Sequence, residues 1–335
     1  MNVSGWGLAA IEPLLPLLPL ALAAGLDLYL TLLLLGASAL LGWATVTPEP
    51  LTDLGSPAVV AVSCLFYAVE VVTSRLPWAA TVWNVLNALV RIVGAGTLVL
   101  LAARPSDPIV AGTAVLGASL LAGAVHVART GWWFELDLRG APGRTRILTI
   151  GAEDIVVAAL LPLILHRPSA RVILAVLVLA VGILGARRHL SAGTFAHRLV
   201  LTWLPAMMAR GRWLDASSLP QWAHSTAGAA GPGDHAVRCT RVAAWGSAVP
   251  GTFRRGWLVV GLSGPVLVIR RGRRGVAVAL TPSRVSGVRT DPLHARVDLD
   301  LGDGRHCGLA VPRGGPSPAA LHQLFDRTEA PAGTP

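Results

Sequence analysis

The sequence predicts a polytopic α-helical membrane domain followed by a small antiparallel β domain that closes with a helix. Three observations predict this. The 335-residue chain is 53% hydrophobic and 14% charged, with a mean hydropathy of +0.60, whereas soluble domains carry about 25% charged residues. The shortfall is concentrated before residue 190, where long apolar runs follow one another. After residue 235 the apolar period shortens to two, the period of a half-buried strand.

The first run, Pro13 to Trp43, is 31 residues long and has a single charge, Asp27. About 20 helical residues cross a bilayer core of ~30 Å. The run is long for one crossing and barely long enough for two, and Gly25-Leu26-Asp27 falls near its middle. Pro13, Pro16 and Pro19 precede that point. The expectation is a segment broken near Gly25–Asp27, with Asp27 either lining a site near the midplane or lying in a wet turn. Apolar segments at 57–74, 79–103, 108–128, 147–165 and 169–186 bring the expected total to six or seven membrane segments. Proline-containing breakers and the polar stretch 129–146 separate them. The N-terminus lacks the basic region of a cleaved signal, so none is expected.

Arginine sets the orientation, because cytoplasmic loops collect basic residues. With the chain after 186 placed inside, Arg75, Arg129, Arg139, Arg144, Arg146, Arg187, Arg188, Arg198, Arg210 and Arg212 are cytoplasmic, and only Arg104, Arg167 and Arg171 are outside. This predicts a multi-pass protein of the cytoplasmic membrane with its C-terminal domain in the cytoplasm. Net charge is +10 and all 28 basic residues are arginine. In a membrane protein this balance reflects the inside bias and contact with an anionic leaflet, so nucleic acid is not expected as a partner. Cys64, Cys239 and Cys307 lack metal-ligand spacing, and Cys64 is read as packing.

The expected organisation is a membrane domain over 1–190, an interfacial amphipathic helix over 191–213, a linker over 214–234, a β domain over 235–328 and a disordered tail over 329–335. Within the β domain, 257–260, 265–269, 276–280 and 297–301 read as strands. Asp303-Gly304 signals a hairpin, and Ser317-Pro318 starts a helix carrying Leu321, Leu324 and Phe325 on one face. Gly256-Trp257-Leu258-Val259-Val260, followed by Asp303-Gly304-Arg305, resembles the pattern of small bacterial pleckstrin-homology-like domains. Arg254 and Arg255 precede one strand, Arg270, Arg271, Arg273 and Arg274 crowd a hairpin turn, and all six are candidates for binding anionic lipid headgroups.

Charges at membrane depth are costly and mark pathways or partners. The candidates are Asp27, Tyr29, Glu70, Asn84, Asn87, Arg91, His126, Glu153 and Asp154. Asn84, Asn87 and Arg91 follow an i, i+3, i+7 spacing and share a helix face. Glu70 is the preferred partner of Arg91, and a purely structural ion pair is the competing reading. Gly25-Leu26-Asp27 has an echo in Gly151-Ala152-Glu153, as duplicated folds leave. His126 with the acids raises a metal site as an option, although no compact ligand spacing supports one. Ala114, Ala118 and Ala122 offer a small-residue face for close helix packing.

Ala24-Gly25-Leu26-Asp27-Leu28-Tyr29-Leu30, Tyr67-Ala68-Val69-Glu70, Arg75-Leu76-Pro77, Arg91, His126 and Ala152-Glu153-Asp154 together resemble a bacterial integral-membrane family catalogued as a domain of unknown function (four-one-two-six), over roughly residues 15–185. The family pattern has Asn-Pro-Tyr at Asp27-Leu28-Tyr29 and an Asp at Ser74. The resemblance implies a helical membrane architecture and supports these site candidates.

Two functions compete. In one, the chain is a small-solute or ion permease or channel, where Asp27 or Glu70 handles a cation or proton and Arg91 an anionic group. In the other it is a scaffold or signalling protein whose β domain reads anionic lipid or a protein. An intramembrane enzyme ranks last, since no nucleophile–base motif is present. The expected partners are the bilayer and its anionic headgroups, with self-association open. Nothing implies an organic cofactor.

Overall fold

The computed structural model describes residues 17–42, 49–103, 107–166, 189–203, 212–229, 238–250, 253–261, 264–271, 274–280 and 283–326. The chain divides into two compact units, Met1–Gly193 and Thr194–Pro335. The apolar segment 169–186, Arg273 and the tail 329–335 lie outside the described residues.

The first unit is helical: α1 (Leu18–Leu40), a 3₁₀ turn at Glu49–Gly55, α2 (Pro57–Ser74), α3 (Pro77–Ala103), α4 (Pro108–Leu138) and α5 (Gly143–His166). The prolines that separate the apolar runs in the sequence open the helices. Pro57 and Pro108 occupy the first turns of α2 and α4, where a missing N–H costs nothing. Ser56 caps α2 by accepting from Val59 N at 3.3 Å, and Asp107 caps α4 by accepting from Ile109 N at 2.7 Å. Among the described residues four helices, α1 to α4, are long and apolar enough to cross a membrane.

α1 is the central helix. The buried share of its apolar window is 72%, against 17–39% for α2–α4. Ala114, Ala118 and Ala122 of α4 are all buried. A Cβ on Gly25 would lie 2.9 Å from both Cα and O of Ala122, so backbone meets backbone there. Cys64 is exposed and does not pack in the core, a correction to the sequence reading.

A second correction concerns α4. It runs to Leu138 and does not stop near 128, because its polar residues find partners: Asp137 pairs with Arg146 of α5, and Glu135 with Arg139 at 3.2 Å. Gly140, at φ 64°, then turns the chain into α5. Residues 189–203 are also helical (α6), and the division between the units falls within this helix. Of the expected interfacial helix, 204–211 lie outside the described residues, and Arg212 and Trp213 are non-helical.

Of the stretch expected to be a linker, 214–229 are structured and 230–234 lie outside the described residues. The structured part holds β1 (Leu214–Asp215), a 3₁₀ turn at Ala216–Ser218 and α7 (Gln221–Ala229). β1 pairs with β2, and Leu219 and Ala223 are buried against Cys239, Trp257, Val259 and Val268. The turn residues of 214–229 concealed short elements that tertiary packing stabilises.

The sheet comprises β2 (Arg238–Trp245), β3 (Phe253–Gly261), β4 (Gly264–Arg271), β5 (Arg274–Ala279), β6 (Ser283–Thr290), β7 (His294–Leu301) and β8 (His306–Pro312). Their order is β5-β4-β3-β2-β8-β7-β6, and every pair is antiparallel. Gly304, at φ 78°, makes the tight β7–β8 turn. α8 (Pro318–Asp326) follows Ser317, which caps it, and sinks Leu321 and Phe325 into the core with Leu258, Leu267, Val297 and Leu309.

Candidate functional site: a buried ion network at the break in α1

Asp27 interrupts α1. Its backbone is extended (φ −146°, ψ 99°) between two helical halves. Such a break leaves carbonyls without donor partners at the end of the first half and N–H groups without acceptors at the start of the second. Both ends are met by side chains. The Asp27 Oδ1 accepts from Leu30 N at 2.9 Å, so Asp27 is the N-cap of the second half. Arg91 Nη1 donates to the carbonyls of Gly25, at 3.5 Å, and of Leu26. A carboxyl group thus sits at the positive end of one helix dipole and a cation at the negative end of the other.

From Arg91 the network spreads across the unit. Its Nη2 donates to both Glu70 oxygens at 2.5 Å. Arg129 Nη2 reaches Glu70 Oε1 at 3.0 Å and Glu153 Oε2 at 2.7 Å. Arg129 Nη1 donates to Asn84 Oδ1 at 2.9 Å. Trp133 Nε1 completes Glu153 at 3.1 Å. His126 Nε2 lies 2.6 Å from the Asn84 carbonyl. Tyr29 donates to Asn87 Oδ1 and stacks on Phe66, with ring centroids 5.1 Å apart. Asp154 stands to one side and accepts from Tyr67 at 2.7 Å.

The predicted residues Asp27, Glu70, Asn84, Arg91, His126 and Glu153 therefore converge, with Tyr29 and Asn87 beside them and Asp154 on a branch. The Glu70–Arg91 pair is present. The echo at Gly151 has no structural counterpart: α5 is continuous through Glu153, and a Cβ on Gly151 would meet open space. Among the described residues, no three His, Cys, Asp or Glu side chains converge as a metal would need. Sequence reasoning missed Arg129, which bridges two carboxylates, and with it Trp133 and Tyr67. A signal for the first two was available. His126, Arg129 and Trp133 repeat on α4 the i, i+3, i+7 spacing of Asn84, Asn87 and Arg91 on α3.

The second unit gathers the predicted arginines at one end of its sheet. β3 and β4 are registered with Gly256 opposite Ile269, and β4 and β5 with Arg271 opposite Arg274. Arg254 and Arg255 at the start of β3 thus lie beside Arg270 and Arg271 at the end of β4 and Arg274 at the start of β5. Arg255, Arg270, Arg271 and Arg274 are exposed. No acid occurs between residues 235 and 290, and Arg198 of α6 adds a like charge near Arg255.

Comparison with curated proteins yields no match, and comparison with solved structures yields none either. Residues 14–188, just over half of the chain, match the family described as Domain of unknown function (DUF4126). Every residue of the ion network falls inside that span, alongside four helices able to cross a membrane. The chain is thus a membrane protein that belongs to the DUF4126 family.

Proposed function

We propose that the membrane unit is a permease or channel for a small solute or ion, and that the ion network at the break in α1 is its polar centre. The observation that carries this reading is the break itself. A helix interrupted at membrane depth is stable only where protein groups satisfy the freed backbone, and transporters use such interruptions as binding sites. Arg91 is committed to Glu70 and to the Gly25 and Leu26 carbonyls, so the role of holding an anionic substrate passes from it. Asp27 is a buried acid that forms no ion pair and whose Oδ2 meets no donor among the described residues. Reconstitution in liposomes, with dye-detected proton, sodium and potassium flux, tests the reading. The wild type conducts at least one of these ions and Asp27→Asn and Glu70→Gln slow it; unchanged flux in both variants overturns it.

A second reading concerns the β unit, and the gathering of arginines at one sheet end favours it. The strand order, four consecutive strands joined to a three-stranded meander and closed by a helix, supports a pleckstrin-homology-like assignment. With the unit on the cytoplasmic side, its arginines face an anionic leaflet, where each adds about 1 kcal/mol of attraction. Residues 212–335 should sediment with phosphatidylglycerol vesicles, weaken with salt and ignore phosphatidylcholine vesicles. Equal binding by a variant with Arg255, Arg271 and Arg274 replaced by Ser would remove the assignment of this surface.

A further inference from the structure

We infer that Asp27 is a proton-binding site, the position at which the membrane unit takes up and releases a single proton against the Arg91–Glu70–Arg129 network. The inference rests on the permease reading and identifies the ion that the centre handles.

Charge counting is the first ground. Four carboxyl groups belong to the network, Asp27, Glu70 and Glu153 at its centre and Asp154 on a branch, and two guanidiniums, Arg91 and Arg129, face them. The acids are not equivalent. Glu70 holds both arginines, Glu153 holds Arg129 and Trp133, and Asp154 is half-buried and accepts from Tyr67. Asp27 is 3% exposed, forms no ion pair, and offers Oδ1 to Leu30 N. Among the described residues no donor reaches its Oδ2. An ionised carboxylate buried in this way costs several kcal/mol unless a partner compensates it, and a carboxyl group avoids that cost by keeping its proton.

The surroundings favour a proton over a metal cation. Arg91 of α3 already occupies the Leu26 carbonyl next to Asp27 and would repel a second cation. Glu70 and Tyr67 come from α2, His126 and Arg129 from α4, Glu153 and Asp154 from α5, and Tyr29 from α1 itself; Asp53 lies near the far end of α1, where Gly55 packs against Ala39. Glu70, Glu153 and Asp154 are engaged by arginine, tryptophan or tyrosine, and among the described residues no three His, Cys, Asp or Glu side chains converge as a metal would need, whereas a proton needs only one oxygen. Release of the proton leaves an anion that competes with Glu70 for Arg91 and Arg129, the two cations that act on Asp27. Arg91 also caps the first half of α1, so protonation is tied to the clamp that spans the break.

The experiment is infrared spectroscopy of the full chain in lipid, titrated from about pH 5 to about pH 9, above the ordinary carboxylate range. The expected result at neutral pH is the carbonyl stretch of a protonated carboxyl, lost in Asp27→Asn and kept in Asp154→Asn. Asparagine is as good an N-cap as aspartate, so the break survives the substitution. Carbon-13 aspartate labelling of the unaltered chain must shift the same band, which needs no variant to fold. Absence of the band at neutral pH, its survival in Asp27→Asn, or its indifference to aspartate labelling overturns the inference. Ion flux without the band keeps the permease reading and removes the proton site; the band without flux does the reverse.

Discussion

Gly25 and Arg91 hold the break together in different ways. Gly25 permits the approach of α1 to the Ala122 backbone, where any Cβ would lie 2.9 Å from Cα and O. Gly25→Val should therefore lower the stability of the folded protein by about 1–3 kcal/mol, read as a lower melting temperature in detergent. Arg91 carries charge and caps at once. Arg91→Met should cost about 3–5 kcal/mol, since it strands Glu70 with Arg129 alone and leaves the Leu26 carbonyl without its donor. The double variant Glu70→Gln/Arg91→Met should cost less than the sum of its parts, a coupling that the same melts measure. In the β unit, Asp291 makes an Asx turn before β7, accepting from Leu293 N and His294 N at 2.8 Å each. Burial alone would raise its pKa, but His294 and these N–H groups outweigh it and hold the carboxyl below its usual range. The stability this provides is present above the ordinary carboxylate pKa and lost as pH falls through the depressed folded value. Asp291→Asn keeps the turn acceptor and should flatten the acid limb of urea-unfolding stability by about 1 kcal/mol.

At the scale of elements, β1 and α7 make the β unit larger than its strand pattern suggests. Trp213 packs on the core, with Arg238 4.7 Å over its ring, and α7 covers the outer face of β2–β4. A fragment of residues 235–335 should therefore be less stable than one of 212–335 by several kcal/mol, at about 1.5–3 kcal/mol per large apolar side chain uncovered. Thiol reactivity locates the damage. Burial, aided by Asp215, pushes Cys239 up to about 11, and burial, aided by Asp298, pushes Cys307 up to about 12. Cys239 should react in the short fragment while Cys307 stays protected. Much of this fold was legible in the sequence. The run 57–74 coincides with α2, and the alternation at 297–301 lies within β7. What escaped notice was stabilised by partners distant in sequence. The extension of α4 past 128 is met by Thr81, which donates to Asp137 at 3.2 Å, and by His189, 3.1 Å from Glu135, and β1 and α7 depend on the sheet they cover. The role of Arg129 was hidden because an arginine near a helix end reads first as a loop charge.

For the whole molecule, charge is segregated twice. Arginine dominates the segments expected on one side of the membrane, and within the β unit residues 235–290 contain ten arginines and no acid. Both asymmetries predict that the β unit lies in the cytoplasm. A green fluorescent reporter fused after Pro335 should fluoresce and a periplasmic phosphatase at the same position should stay inactive; the opposite result would reverse the orientation.

The interrupted helix also constrains how the protein is made. α1 is synthesised first among the described helices, yet the guanidinium that satisfies its Gly25 and Leu26 carbonyls arrives with Arg91, 65 residues after Leu26. Until then two backbone acceptors face lipid or the insertion machinery, at several kcal/mol each. α1 therefore leaves the ribosome as an unfinished part. A chain stalled before α3 should remain held by the insertion machinery or be degraded, and completion of α3 is the step that commits the unit to the membrane.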